Sequence, residues 1–515
     1  MERLTFNVGG ARGGARGGAL VVAGRDARAV ARAPRLAQVK AKIAVVRERY
    51  DWDYLWMISF TALLFFRPQD QIPGLEVFHL AELTAIAGLA AMAVRRLSAG
   101  QTITKVNAEV IGVIVLGAII VLTIPFSIWP GGSTKVFSDI FVKIILIFAL
   151  MISTITTPRR VRQMTWVMIV ASGYIAARGV FDYLRGVNLV EGDRLRGAVG
   201  GMFENPNDLA LNLVTFMAPA LFILFQDKKT SRRLVAGALC VVMLAAIVCT
   251  KSRSGFLGLL AMGAVVMFYT ARVKPGIVLA AIVAGMMALP VMPDSFWNRM
   301  DSIMNADEDA TGSRAARLRL IDQGVQVFLD NPVTGIGAGQ FQNYNAPGVV
   351  EKWRVTHDVW LQVASELGLF GLLTFGFLVS RAYSANLSAM RMLRQPRRRS
   401  ADRGTRIADP SAIDNRSGLR KHAIRNQSPI RSPQSAIELP EADRRILDTN
   451  AKGMLAALVG WTVCSLFASV AFNWTFYYVF ALSVAGRDIL FVRRAAAREA
   501  EPAPAPAPQL VRVHA

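Results

Sequence analysis

Long apolar runs separated by short, charged connectors recur from Tyr54 to Val492. A run of about 17–25 apolar residues is long enough to cross a bilayer as a helix. The pattern predicts about twelve spans, near 53–67, 78–94, 108–128, 136–155, 163–183, 207–225, 232–249, 254–271, 276–293, 358–380, 453–471 and 475–492. The expected fold class is an all-α membrane protein with one large loop, 294–357, outside the cytoplasm. Within that loop Leu318, Ile321, Val325 and Phe328 repeat at helical spacing, with Arg314, Arg317 and Asp322 on other faces. Thr311 or Ser313 suits the start of this helix, and Asn331-Pro332 its end. Such an amphipathic helix is expected to lie along the membrane surface or to fold over the bundle. The GIGAGQF that follows lacks the glycine spacing of a dinucleotide loop and follows no strand. Tight turns and close backbone packing are the expected role of Gly335, Gly337 and Gly339.

The same pattern divides the chain. Residues 1–50 form a basic arm with the repeat ARGGARGGA, expected to be flexible and to sit near anionic headgroups. This arm lacks the compact apolar core and cleavage site of a secretory signal, so the first span is expected to act as an uncleaved one. Spans one to nine occupy 51–293, the outer loop 294–357 and span ten 358–380. Residues 381–452 are rich in Arg, Ser, Pro and Asn and are expected to be a mostly disordered cytoplasmic insert. The last two spans occupy 453–492. The tail, 493–515, contains EPAPAPAPQ and is expected to be extended and solvated.

Charge sharpens the topology. The 515 residues carry 59 Lys and Arg against 36 Asp and Glu, a net charge of +23. Only 18% of the residues are charged, against roughly 25% in soluble domains. With the N-terminus inside, the cytoplasmic connectors are RRLSAGQTITK, TPRRVRQ, QDKKTSRR, ARVKP, the long insert and the tail, and most of the basic residues fall in these or in the arm. That satisfies the positive-inside rule. Charge therefore reads as orientation, and no nucleic-acid partner is expected. Cys240, Cys249 and Cys464 all fall within spans, without metal-site spacing, and predict no disulfide framework.

Polar residues on the outer side carry the candidate chemistry. Of four histidines, His422 and His514 lie in polar cytoplasmic segments and His79 at the outer end of span two. His357 sits in WRVTHDVWLQVASELG, where the loop enters span ten. Thr356 is the expected helix cap, which puts His357 in the first turn beside Asp358. A neutral imidazole there suits a general base, and a surface histidine bonded to the helix end is the alternative. Arg194 and Arg196 lie in EGDRLRGAVGGMFENPNDLA, and Lys251 and Arg253 in CTKSRSGFLG. Arginines at tight helix–helix turns suit a phosphate through their planar fork of donors. Ion pairing with Glu191 or Asp193 is the competing role. In FENPNDLA, Asn205 caps, Pro206 fits the first turn, and Asn207 and Asp208 complement the helix dipole. A sugar contact by the asparagine is compatible with that but not required. Lys143, Arg178, Asp182, Glu366 and Arg487 fall inside spans, where ionisable residues are functional candidates by default. Arg178 and Asp182 are four apart, so a structural pair competes with an extension of the anion site. Asp51 and Asp53 form DWD at the cytoplasmic edge. Asp307, Glu308 and Asp309 read as a solvated acidic turn rather than a metal site. No nucleotide loop, cofactor motif or metal motif is found.

FENPNDLALNLV, TKSRSGFLGLL, FLDNPVTGIGAGQF and HDVWLQVASELGLFGLL together resemble the O-antigen ligase family, over roughly 190–380. The superfamily also holds O-antigen polymerases and some protein O-oligosaccharyltransferases. Asp358 stands where the family usually has asparagine or another small polar residue, and the long basic insert is atypical. The resemblance implies a multi-pass protein of a bacterial inner membrane, and the charge pattern puts both termini in the cytoplasm. It implies an inverting, metal-independent glycosyltransferase without cofactor, whose partners are an undecaprenyl-diphosphate-linked glycan and a lipid A–core or growing glycan acceptor. The resemblance implies that Arg196 and Arg253 hold the diphosphate, with Arg194 competing for the place of Arg196; Arg178 is expected to extend the site from its position near the outer end of span five. By the same resemblance His357 activates the acceptor; Asn207 and Asp358 are the expected glycan or acceptor contacts. A ligase is the leading reading and a polymerase of the same chemistry the second. A gradient-driven transporter or flippase, the third, calls for inverted repeats and midplane helix breaks that the sequence does not display.

Overall fold

The computed structural model describes residues 52–70, 72, 74–190, 193–197, 203–288, 290, 297, 313–344, 355–394 and 439–499. Asp51, the 1–50 arm, Glu191, the acidic run Asp307-Glu308-Asp309, Thr311, His422, His514, and most of the insert and tail lie outside them, as do the side chains of Ser313 and Arg314.

The described chain is almost wholly helical. In order come α1 (Trp52–Phe66), α2 (Leu80–Ser98), α3 (Ala108–Thr123), α4 (Pro130–Thr154), α5 (Pro158–Leu184), α6 (Pro206–Gln226), α7 (Thr230–Thr250), α8 (Arg253–Ala271) and α9 (Pro275–Ala288). Then follow α10 (Ser313–Asp330), α11 (Val359–Arg394), α12 (Glu441–Ser465) and α13 (Trp474–Glu499). Local chemistry sets their starts. Asn107 accepts from the Val110 N–H, Thr157 from Arg160, Asn205 from Asn207 and Ser252 from Gly255, which satisfies backbone donors that the first turn leaves open. One feature was not expected: a two-stranded antiparallel hairpin, β1 (Leu189–Val190) with β2 (Arg194–Leu195), in the α5–α6 connector.

Among the described residues eight helices, α3 to α8, α11 and α13, are long and apolar enough to cross a membrane, so this is a multi-pass membrane protein. Helix α1 is apolar but shorter. Helices α2, α9 and α12 fall on the other expected spans. The 14-residue α9 is short, and the first half of α12 is charged, EADRRILDTNAK.

Burial separates the centre of the bundle from its rim. The apolar windows of α6 and α13 are 78% and 83% buried inside the protein, and those of α7 and α8 only 33%. Trp461 of α12 meets Phe476 of α13 at 4.8 Å between ring centroids, and Phe375 of α11 meets Phe476 at 5.6 Å. Most ionisable residues within spans have structural partners. Arg178 Nε donates to both Asp182 oxygens at 3.2 and 3.3 Å, Lys143 pairs with Glu82, and Arg381 and Arg487 both donate to Glu109.

Two boundaries differ from expectation. Helix α11 runs on to Arg394 and α12 begins at Glu441, so both ends of the expected disordered insert are helical. The reason is an apolar row beneath the basic composition: Ala382, Ala385, Ala389 and Leu393 are buried, and Arg444 donates to the Leu393 carbonyl.

The GIGAGQF segment locks α10 onto the bundle. Helix α11 breaks at Gly368, at φ 65° and ψ −164°, and the loop docks on the break. Ile336 N–H donates to the Ser365 carbonyl, Gly337 N–H to that of Glu366, and Leu369 N–H to that of Pro332. The Glu366 carboxylate accepts from Gly339 N–H at 2.8 Å and Phe341 N–H at 3.4 Å. Glu366 thus ties the loop to the bundle. Gly335 has φ +62°, and a Cβ there would collide with the Glu366 backbone. Left-handed strain and overpacking each cost about 1–3 kcal/mol, so Gly335→Val is expected to destabilise the protein by roughly 2–5 kcal/mol. Thermal unfolding in detergent checks this, and an unchanged midpoint would show that the loop yields freely.

Candidate functional site

The α7–α8 turn is built from the sequence CTKSRSG. Helix α7 ends on Lys251 in the left-handed region, φ +47°. A non-glycine residue there costs about 1–3 kcal/mol and persists only where its surroundings hold it. Several contacts do so. Arg194 donates from Nε to the Thr250 carbonyl at 3.2 Å and from Nη2 to Asn207 Oδ1 at 3.0 Å. Ser252 Oγ donates to the same Asn207 oxygen at 2.8 Å and lies 3.0 Å from Ser254 Oγ. Buried Lys251 pairs with Asp193 of the hairpin. The result is a fixed turn that starts α8 at Arg253, whose side chain is half-buried. A helix N-terminus adds open backbone N–H groups and positive potential.

The α11 entrance is built differently from the expectation. Thr356 does not cap the helix. Asp358 does, accepting from Leu361 N–H at 2.8 Å. His357 therefore precedes the first turn, in the left-handed region at φ +52°. Its N–H donates to Ser469 Oγ at 3.0 Å, and Thr356 Oγ1 lies 2.9 Å from the same hydroxyl. Thr356 also donates to the Asp358 carbonyl. Gln362 Oε1 accepts from Ala471 N–H at 3.2 Å. The α12–α13 connector thus holds the His357 main-chain N–H and the side chains of Thr356 and Gln362. Burial raises the Asp358 carboxyl above its usual pKa, opposed by N–H donation from Leu361 and Trp360.

These two turns meet at a cavity of about 240 Å³. Arg253, Ser254 and Leu257 of α8 line it, with Thr356 and His357 on the α11 side, Leu466 and Phe467 from the α12–α13 connector, and Arg317, Leu318 and Ile321 from α10. Two arginines and one histidine therefore share a wall that is otherwise mostly apolar. Such a site suits a bound anion beside a group that can take a proton. Among the described residues no three His, Cys, Asp or Glu side chains gather as a metal ion requires.

The structure brings together two of the residues singled out from sequence, Arg253 and His357, and adds Arg317. Sequence reasoning placed Arg317 on a polar face of the amphipathic helix. The available signal was its place four residues before Ile321, which puts both on one flank. The other candidates do not line the cavity. Arg194 is buried and braces the α7–α8 turn. Arg196 is exposed at the end of the hairpin, its N–H bonded to the Asn188 carbonyl. Asn207 is buried and accepts from Arg194 and Ser252. Arg178 pairs with Asp182, which also accepts from Asn188. Asp358 caps α11.

Residues 238–376 match the family model described as O-antigen ligase. The matched segment contains Arg253, Arg317, His357 and Asp358, and leaves out Arg178, Arg194, Arg196 and Asn207. No curated protein matches the chain.

Proposed function

From the O-antigen ligase family domain that this chain carries over residues 238–376, we propose that the protein transfers a glycan from undecaprenyl diphosphate to lipid A–core at the periplasmic face of the inner membrane. The coarser identity, a membrane glycosyltransferase-like enzyme, follows from the family itself. The finer reading is supported above all by one observation: Arg253, Arg317 and His357 line a single cavity.

The reaction requires few parts. The acceptor hydroxyl oxygen forms a bond to the anomeric carbon from the face opposite the leaving group, so the configuration inverts. The bond from that carbon to the diphosphate oxygen breaks, and the electron pair leaves with the diphosphate. The acceptor proton passes to the His357 imidazole. A diphosphate is stable as an anion and calls for no general acid, only for positive charge placed where charge grows. Arg253 and Arg317 supply that charge, aided by the α8 N-terminus. Arg194 and Asn207 act through the turn that aims Arg253. Arg196 is an outlying, exposed cation, Arg178 belongs to the pair with Asp182, and Asp358 sets the helix start that fixes His357. No metal ion or cofactor enters the scheme.

The test is the surface glycan of a deletion strain. Loss of glycan from lipopolysaccharide, with lipid-linked polymer accumulating, supports the ligase. Lipopolysaccharide carrying single repeat units would overturn it in favour of a polymerase.

A further inference from the structure

Helix α10 has two apolar faces. One faces inward: Leu320 and Val327 are buried with Ile336 and Phe341, and a Cβ on Gly324 would meet Leu361. The other is open. Leu318, Ile321, Val325 and Leu329 are 59%, 46%, 43% and 67% exposed. At about 100° per residue these four fall within an arc of about 80°, forming one narrow row about 16 Å long. Asp322 and Gln326, both exposed and hydrogen-bonded to each other, border it on one side. Arg317 lies on the other side, where the helix faces the cavity. The row does not stop at the cavity rim, because Leu318 and Ile321 are themselves cavity wall beside Arg253, Arg317 and His357.

We propose that this row seats the isoprenoid tail of the donor, which rests on the lipid-linked diphosphate reading above. The occupant follows from continuity and charge. An amphiphile whose diphosphate lies at Arg253 and Arg317 must carry its tail away across the adjoining wall, and that wall is the Leu318–Ile321 end of the row. A single row bordered by Asp322 and Gln326 fits one chain. Helix α10 then does two things at once. It presents Arg317 to the head group and guides the tail that follows it, so donors with short tails lose contacts that the arginines cannot replace.

Two measurements on the full-length protein in detergent test this. An isoprenoid diphosphate with a photoactivatable group in its tail is expected to label the wild-type protein within 318–329. Labelling confined to α1–α9 or α11–α13 would overturn the proposal. In the second, Val325→Asp and Leu329→Asp are compared using glycan donors of full-length and three-isoprene tails. The ratio of kcat/KM between long and short donors is expected to fall tenfold or more, mainly through KM for the long donor. Gln326→Glu, on the polar border, is the control and keeps the wild-type ratio. An unchanged ratio in the aspartate variants would overturn the tail seat, as would an equal loss for both donors, which is the signature of lost membrane anchoring. Failure of the transfer reading looks different: wild-type protein labels on α10 yet moves no glycan from either donor.

Discussion

Replacing His357 by alanine is expected to lower the rate of glycan transfer by about 10²–10⁴, the span that a positioned general base contributes. The loss falls on kcat, while KM for the lipid-linked donor stays near the wild-type value, because the donor is held by the arginines. His357→Gln keeps hydrogen-bonding capacity without basicity and is expected to lose nearly as much. The pH profile provides the sharper check. Where the unprotonated imidazole is the active form, wild-type transfer falls as acid protonates it, and both variants lose that acid limb. Normal expression matters, since the residue occupies a left-handed backbone position. Ser469 holds the main-chain N–H rather than the ring, so that anchor survives the replacement. The fold is therefore expected to persist. Wild-type transfer by His357→Ala, or an acid limb that survives in it, would remove His357 from the chemistry.

Apolar length and the positions of charged connectors were legible in the chain, since both follow from local composition. Helices fall on every expected span, and among the described residues eight meet the length and apolarity of a crossing. The GIGAGQF packing was also legible, because three glycines in five residues have few uses outside tight turns. The α11 start was not. Both Thr356 and Asp358 are good caps, and the choice depends on Ser469, more than a hundred residues away, which engages Thr356 and leaves Asp358 to cap. The helical ends of the insert were hidden for a related reason: composition there is basic, and only the alanine row packed against its neighbours makes α11 continue.

The arginines show the same limit. Arg194, Arg196 and Arg253 look alike in sequence, each an outward cation beside a tight turn. Contact separates them. Arg194 spends its donors on Thr250 and Asn207, Arg196 lies outside the cavity wall, and Arg253 lies in it. Arg317 was masked by its periodicity, since a charge on an amphipathic helix ordinarily faces water. Only the folding of α10 over the α7–α8 turn turns that face inward.

Arg253→Ala is expected to lower transfer by about 10²–10³, the effect of removing one charge-stabilising donor from a developing anion. Arg253→Lys is expected to recover part of this and not all, because an ammonium keeps the charge but lacks the planar fork that grips two phosphate oxygens. Arg317→Ala tests whether the two guanidiniums act on one diphosphate. Residues serving the same group couple by about 0.5–3 kcal/mol, whereas independent residues add within about 0.3–0.5 kcal/mol. The double variant is therefore expected to fall short of the product of the single losses by a factor of two or more. Strict additivity would place Arg317 on a different part of the substrate, such as the glycan. The turn that holds Arg253 supplies an internal control. Asn207→Ala removes neither cation but takes away the oxygen that Arg194 and Ser252 share, so it is expected to lower stability and transfer together. A loss of transfer in Arg253→Ala with an unchanged unfolding midpoint then separates charge at the site from integrity of the turn.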